Sequence, residues 1–271
     1  MKLYYRKFGQ GKPLFILHGL FGLSDNWATV GKMLAEHGSA SLTTGFEVYL
    51  IDLRNHGNSP HTNEWTYQAM ANDIVELMDD LQINQQILLG HSLGGKVAMQ
   101  FASLYPEKLE KLIVVDMAPK DYPGNQFGFI EKLLSLDLSE MKSRKEVEVG
   151  LKKIITDNAT VQLLLKNIQW SENRKQEAVA GGSLLEWKFN LKVIAENQNK
   201  IGETFSIKNK IDTPTLFIRG ERSKYILDED IAEIKKIFSN SEFKTIAGAG
   251  HWVHADKPED FVLAIRKFSF Q

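Results

Sequence analysis

The stretch QILLGHSLGGKVAMQFASLYP, residues 86–106, decides the fold of this chain. Its first part, QILLGHS, is a short apolar run typical of a strand that is buried on both faces of a sheet. Its second part is amphipathic and predicts a helix that ends near Pro106. The motif GHSLG (90–94) lies where the two parts meet. A strand, a serine between glycines and a helix predict a nucleophile elbow, a strained turn that exposes the Ser92 hydroxyl at the sheet's carboxyl edge.

Other apolar runs on both sides of this stretch predict further strands of the same sheet. They are LFILHG (14–19), FEVYLID (46–52), KLIVVD (111–116), PTLFIRG (214–220) and EFKTIAG (242–248). Residues 65–83 have apolar side chains at helical spacing, and KPEDFVLAIRKF (257–268) predicts a closing helix. Strands that alternate with helices predict the α/β class with a mostly parallel sheet.

The strand pattern is interrupted between residues 119 and 212. This segment has charged, helix-forming runs such as VGLKKIITDNATVQLLLKNI in place of short apolar strands. We therefore expect residues 1–118 and 213–271 to form one α/β core domain, and residues 119–212 to form an inserted helical cap.

The composition narrows the classes of function. The chain has 271 residues, 43% of them apolar, a formal net charge of −1 and no cysteine. Interspersed charges do not favour a nucleic-acid partner, and without cysteine there is no thiolate chemistry. No apolar run is long enough for stable membrane insertion, and no signal-peptide pattern is seen, which predicts a cytoplasmic protein. Nothing in the sequence calls for a metal or an organic cofactor, and the oligomeric state is left open.

A serine hydroxyl needs a neighbouring base before it can act as a nucleophile. Among the seven histidines, His251 in AGAGHWVHADKP (247–258) follows the last predicted strand, where a loop emerges at the same sheet edge as Ser92. It is the preferred base. His254 is its competitor, with a structural or exposed role expected instead, and His18 and His91 are expected to fix the backbone of their turns.

The oxyanion that forms in acyl transfer needs backbone N–H donors. One is expected from Leu93, the residue after the nucleophile, and the other from the turn HGLFG (18–22) after the first buried strand. Leu20 is the preferred second donor and Phe21 the alternative.

The residues alone leave the acid of the site open. The common position follows PTLFIRG, but Glu221 comes directly after that glycine, and Ser223 stands where an aspartate is expected. Asp228 and Asp230 suit the start of a helix. Asp116 ends the strand next to the one that bears Ser92, where a carboxylate is costly unless it is hydrogen-bonded or functional, although it could also cap the turn at Ala118.

In detail, the chain closely resembles the YbfF-like esterases of the α/β-hydrolase fold. The resemblance is carried by HGLFG (18–22), DLRNHGNSP (52–60), GHSLGGK (90–96), VVDMAPKDYP (115–123), EWKFN (186–190) and AGAGHWVHADKP (247–258). It implies a serine esterase, or an acyl-CoA thioesterase, with a helical lid, Asp116 as the acid, and Ser223 as an auxiliary group beside His251.

The predicted function is hydrolysis of a small-molecule acyl ester or thioester through Ser92, His251 and Asp116 and an acyl-enzyme. Two alternatives use the same fold. The first is a carbon–carbon hydrolase or lyase on the same triad, and the second is a ligand-binding protein without turnover. A complete set of nucleophile, base, acid and oxyanion turns argues against the second.

Overall fold

A computed structural model describes residues 1–36, 45–122, 128–171, 185–204, 207 and 209–271. The expected cap is therefore described in part, since residues 123–127, 172–184, 205–206 and 208 lie outside the described residues. None of the helices in the described ranges is long and apolar enough to cross a membrane.

Six of the nine described strands match the apolar runs of the sequence to within a few residues. They are β1 (Tyr5–Phe8), β2 (Lys12–Leu17), β3 (Phe46–Ile51), β4 (Gln86–His91), β5 (Leu109–Val115), β6 (Ile168–Trp170), β7 (Leu185–Trp187), β8 (Thr215–Gly220) and β9 (Ser241–Ile246). Three of them, β1, β6 and β7, are not predicted from the sequence, because they are short and lack a fully apolar run.

Seven strands form one sheet in the order β1-β3-β2-β4-β5-β8-β9. Strand β1 is antiparallel to β3, and the other pairs are parallel. The carboxyl ends of β4, β5 and β8 therefore lie side by side at one edge. The predicted mostly parallel sheet is observed, and β6 and β7 form a separate antiparallel pair.

Helices fill the connections between the strands. They are α1 (Ala28–Ala35), α2 (Tyr67–Asp80), α3 (Leu93–Leu104), α4 (Phe129–Leu134), α5 (Arg144–Ile154), α6 (Asn158–Lys166), α7 (Leu191–Glu196), α8 (Gln198–Ile201), α9 (Asp230–Ile237), α10 (Val253–Asp256) and α11 (Pro258–Ser269). Short 3₁₀ turns lie at Ser24–Trp27, Pro106–Lys108 and Leu138–Glu140.

Two apolar cores cover the two faces of the sheet because successive side chains of a strand point to opposite faces. Phe15 and Leu17 of β2 join the core formed with α2 and α3. Leu14 and Ile16 join the core formed with α1 and α11. A sheet covered on both faces explains why its central strands are continuously apolar.

Helices α4–α8 and the β6–β7 pair come between β5 and β8 in the chain. Buried residues of these elements, including Ile130, Val147 and Leu164, join the core on the α2 and α3 side. The described part of this segment therefore shares one apolar core with α2 and α3. The domain bounds at residues 118–119 and 212–213 stay a prediction.

Candidate active site

The backbone at Ser92 is strained, as the motif predicts. Ser92 has φ 53° and ψ −116° between β4 and α3, a conformation that costs a non-glycine residue about 1–2 kcal/mol. The flanking glycines allow the turn to be this tight. A Cβ added to Gly90 would lie 2.1 Å from the carbonyl oxygen of Gly94, and one added to Gly94 would lie 2.5 Å from that of Leu17.

Asp116 and His251 meet at the carboxyl edge of the sheet. Asp116 follows β5 with φ 50°, is fully buried, and places Oδ2 2.7 Å from Nδ1 of His251. Because an ionised carboxylate can only accept hydrogen bonds, Nδ1 is the protonated nitrogen of the imidazole. The lone pair of Nε2 is then free to accept a proton.

Two further groups hold the Asp116 carboxylate. The Ser223 hydroxyl donates to Oδ2, the same oxygen that faces His251, and the Gly220 N–H lies 3.3 Å from Oδ1. Asp116 therefore points into the site, and its described side-chain bonds are with these groups, not with the turn at Ala118. The structure brings together Ser223 and Asp116 although 107 residues separate them.

The competing carboxylates are engaged elsewhere. Asp228 is exposed and pairs with Arg219. Asp230 accepts a hydrogen bond from the Leu227 N–H at 2.7 Å, as expected at a helix start. Glu221 accepts one from the Gly248 N–H at 2.8 Å. None of these three bonds involves His251.

The rest of the His251 environment is aromatic. The Tyr225 ring stacks on the imidazole at a centroid distance of 3.9 Å and an angle of 17°. On the nucleophile side, His91 Nε2 lies 2.9 Å from the carbonyl oxygen of His251. Burial, and then repulsion from His251, hold the pKa of His91 well below its usual range. The neutral ring donates through Nε2 and ties the residue before Ser92 to the loop that carries the base.

One backbone hydrogen bond joins the two predicted oxyanion turns, and another closes the first of them. The Gly94 N–H donates to the carbonyl oxygen of His18 at 3.1 Å, and the Gly22 N–H donates to that of Gly19 at 2.8 Å. Leu93 is the first residue of α3, where a backbone N–H has no acceptor within the helix. Leu20 and Leu93 line one narrow pocket with Ser92.

That pocket is mostly apolar. Its lining consists of Leu20, Ser92, Leu93, Met117, Tyr122, Ile201, Gly202 and Tyr225. The hydroxyl of Tyr122 donates to the Tyr225 carbonyl oxygen at 2.7 Å and accepts from the Ala118 N–H at 2.8 Å. The phenol therefore joins the segments that carry Ala118 and Tyr225.

A larger groove of about 560 Å³ lies far from this chemistry. It runs along β9 and α11, with Phe243, Ile246 and Leu263 among its lining residues. It shares no lining residue with the Ser92 pocket. Size therefore does not identify the site here. The Asp116–His251 contact does, together with the His91 bond that joins the Ser92 turn to the loop of His251.

Lys96 binds backbone carbonyl oxygens beside the Ser92 pocket. Its buried ammonium lies 2.5 Å from the carbonyl oxygen of Lys120, 3.1 Å from that of Glu203 and 3.5 Å from that of Gly202. Burial lowers the pKa of Lys96 to about 8. A lysine on the nucleophile helix is visible in the sequence, but its carbonyl partners come from distant loops and carry no sequence signal.

His254 lies buried and not at the surface. Its ring stacks on Trp27 at a centroid distance of 3.9 Å and an angle of 14°. The structural role expected from the sequence fits this position, whereas an exposed position does not. His251 and His254 thus lie in different environments although only three residues separate them.

The fold and the site define a class of protein. A family model described as alpha/beta hydrolase fold matches residues 12–258. The chain therefore belongs to the α/β-hydrolase fold family, and the fold class predicted from the sequence is confirmed.

Several relatives that match nearly the whole chain have the names of ester-hydrolysing enzymes. The chain is 31% identical to Esterase YbfF of Escherichia coli over 94% of its own length and 92% of that protein. It is 35% identical to the sn-1-specific diacylglycerol lipase ABHD11 of Danio rerio, over 96% of its own length and 79% of that protein. A solved structure described as a marine microorganism esterase is 39% identical and has a TM-score of 0.89. The match covers 98% of this chain and 99% of that one. The resemblance to YbfF-like esterases is confirmed.

Proposed function

We propose that this protein hydrolyses small carboxylic esters with Ser92 as nucleophile, His251 as general base and Asp116 as the acid that orients it. The observation that carries the proposal is the 2.7 Å contact between Asp116 Oδ2 and His251 Nδ1. This contact fixes the imidazole tautomer that a serine hydrolase needs. The names of the relatives agree with ester hydrolysis.

In the proposed reaction, Nε2 of His251 takes the hydroxyl proton as Ser92 attacks the acyl carbonyl. The N–H groups of Leu20 and Leu93 stabilise the oxyanion, since preorganised donors act best where negative charge develops. The imidazolium then gives its proton to the leaving group, and water hydrolyses the acyl-enzyme by the same steps in reverse order. Buried Asp116 stabilises the imidazolium that forms.

Ser223 is proposed as an auxiliary group that orients Asp116. Its hydroxyl donates to the carboxylate oxygen that faces His251, so it limits rotation of the carboxylate. Because it contacts neither the nucleophile nor the carbonyl under attack, we expect its loss to slow the reaction about ten- to a hundredfold, the effect of one hydrogen bond to a charged group.

The narrow apolar pocket favours a short acyl group. Leu20, Met117 and Ile201 offer aliphatic surface, and Tyr122 and Tyr225 complete the lining with aromatic rings. Thioesters fit the same chemistry, since the carbonyl and the oxyanion are unchanged and only the leaving group differs. We assign residues 119–212 to a cap over this pocket, to which Ile201 and Gly202 belong. The cytoplasmic location stays a prediction.

Activity is tested with p-nitrophenyl acetate, butyrate and octanoate, and with acetyl-CoA, alongside labelling by a fluorophosphonate. We expect hydrolysis of the short esters, and labelling that disappears in Ser92→Ala. Intact protein that is neither labelled nor active would reject the esterase and favour a binding protein. Cleavage of acetyl-CoA at a rate similar to that of the acetate ester would extend the function to thioesters.

The acid is tested by Asp116→Asn, with Asp228→Asn as the matched control. An amide at position 116 cannot hold the required tautomer, so kcat should fall by about 10⁴. The control should keep wild-type kcat because Asp228 is exposed and pairs with Arg219. If Asp228→Asn gave the large loss and Asp116→Asn did not, the assignment of Asp116 would be wrong.

A further inference from the structure

Asn167 joins the cap segment to the oxyanion turn. It follows α6, is fully buried, and places Nδ2 2.6 Å from the carbonyl oxygen of Phe21, a residue 146 positions away. The same nitrogen lies 3.0 Å from the carbonyl oxygen of Leu163, one helical turn back. Both neighbours of this nitrogen are carbonyl oxygens. The side chain must therefore present its NH₂ group there, since the opposite amide orientation would face oxygen with oxygen.

Phe21 needs such a contact because its backbone is strained. It has φ 57°, which is uncommon for a bulky residue and costs about 1–2 kcal/mol. Strain of this kind persists only where the surroundings determine the conformation. Here the surroundings are cap residues, since the Phe21 ring packs on Phe189 at 4.7 Å and on Phe129 at 5.9 Å.

The peptide unit between Phe21 and Gly22 is held at both ends. Asn167 donates to its carbonyl oxygen, and its N–H donates to the carbonyl oxygen of Gly19 at 2.8 Å. Leu20, which supplies the proposed oxyanion donor, lies inside the turn closed by this second bond. A displaced peptide unit would therefore move the Leu20 N–H relative to Ser92.

We propose that Asn167 is a positioning residue for the oxyanion hole, through which the cap holds the Phe21 carbonyl and thereby aims the Leu20 N–H. This inference rests on the proposed esterase function. Asn167 contacts neither the substrate carbonyl nor the nucleophile, and its effect passes through the turn. Loss of an oxyanion donor costs about 10²–10³ in rate, and a shift of about 1 Å can cost 10². Misplacing the donor should therefore lower kcat about ten- to a hundredfold.

The test compares Asn167→Asp and Asn167→Ala with the same changes at Asn197. Asn197 is the matched control because it also follows a helix, α7, and its Nδ2 lies 2.9 Å from the carbonyl oxygen of Val193, again one turn back. This described bond of Asn197 Nδ2 does not reach the oxyanion turn. Each pair of variants thus loses the same bond at a helix end, and only the Asn167 pair loses the bond to Phe21.

We expect both Asn167 variants to lower kcat for p-nitrophenyl butyrate with little change in KM, and to weaken binding of a trifluoromethyl ketone, whose adduct carries an oxyanion. The Asn197 variants should keep wild-type kcat, and their melting temperature should fall less because Asn197 is only partly buried and loses a single Nδ2 bond. The aspartate variant could fail to fold because it places oxygen against two carbonyl oxygens, and the alanine variant then gives the answer.

Wild-type kcat in Asn167→Ala, or an equal loss of kcat in Asn197→Ala, would overturn the positioning role. So would a change confined to KM. Failure of the esterase proposal looks different, because wild-type protein would then show neither ester hydrolysis nor fluorophosphonate labelling.

Discussion

Buried neutral histidines should make this fold sensitive to mild acid. Burial lowers the pKa of His18 to about 4, and burial with repulsion from neighbouring histidines lowers those of His56 and His254 to about 3. The rings of His18 and His56 are only 5.0 Å apart. His18 must also stay neutral for its Nε2 to accept the Leu53 N–H, at 3.1 Å.

The sign of the effect follows from proton binding. In the unfolded chain these histidines have a pKa of 6.5, whereas the folded chain binds their protons only near pH 4 or below. Their contribution to stability is therefore fully present above pH 6.5 and is lost as the pH falls from 6.5 toward 4 and 3. At pH 5.0 each buried histidine costs about 2 kcal/mol, so the three together cost on the order of 6 kcal/mol. This is a large part of the roughly 5–15 kcal/mol that stabilises a typical domain.

The measurement is urea unfolding followed by tryptophan fluorescence at pH 7.5, 6.5, 5.5 and 5.0 and constant ionic strength. The free energy of unfolding should fall most steeply below pH 6.5. His254→Phe keeps a ring stacked on Trp27 and removes one titrating group, so it should reduce the loss at pH 5.0 by about 2 kcal/mol. His61→Gln, at an exposed position, should leave the pH dependence unchanged. Equal free energies of unfolding at pH 7.5 and 5.0 would refute the reasoning.

Two further predictions concern buried cations. Arg54 is buried and pairs with buried Asp73 through Nε at 2.7 Å. Arg54→Ala leaves this carboxylate with the terminal ammonium of Met1, 3.1 Å from Oδ1, as its described cation partner, and should cost about 3 kcal/mol in the free energy of unfolding by urea; a loss below 1 kcal/mol would contradict this. Lys96→Met removes the ammonium that binds the Lys120 and Glu203 carbonyl oxygens next to the pocket. We therefore expect KM for p-nitrophenyl butyrate to rise several-fold and kcat to change less. Steady-state kinetics at pH 7 measure both constants, and an unchanged KM would show that Lys96 does not shape the pocket.

Local pattern predicts much of this fold because the relevant signals are short. Apolar runs identify the central strands, and the glycines around Ser92 mark a turn that side chains would block. The short outer strand β1 escapes prediction, since it is only partly buried and two of its four residues, Arg6 and Lys7, are charged. The β6–β7 pair escapes because three-residue strands carry little pattern.

The sequence by itself determined the nucleophile elbow, the parallel core and the loop that carries His251, because each depends on residues close together in the chain. Residue chemistry alone left the acid open among several carboxylates. Only the tertiary structure placed Asp116 against His251, 135 residues away, and Asn167 against Phe21. Such contacts depend on which strand ends lie side by side and how the cap packs on them. A sheet order that differs from chain order determines those neighbours, and no local spacing records it.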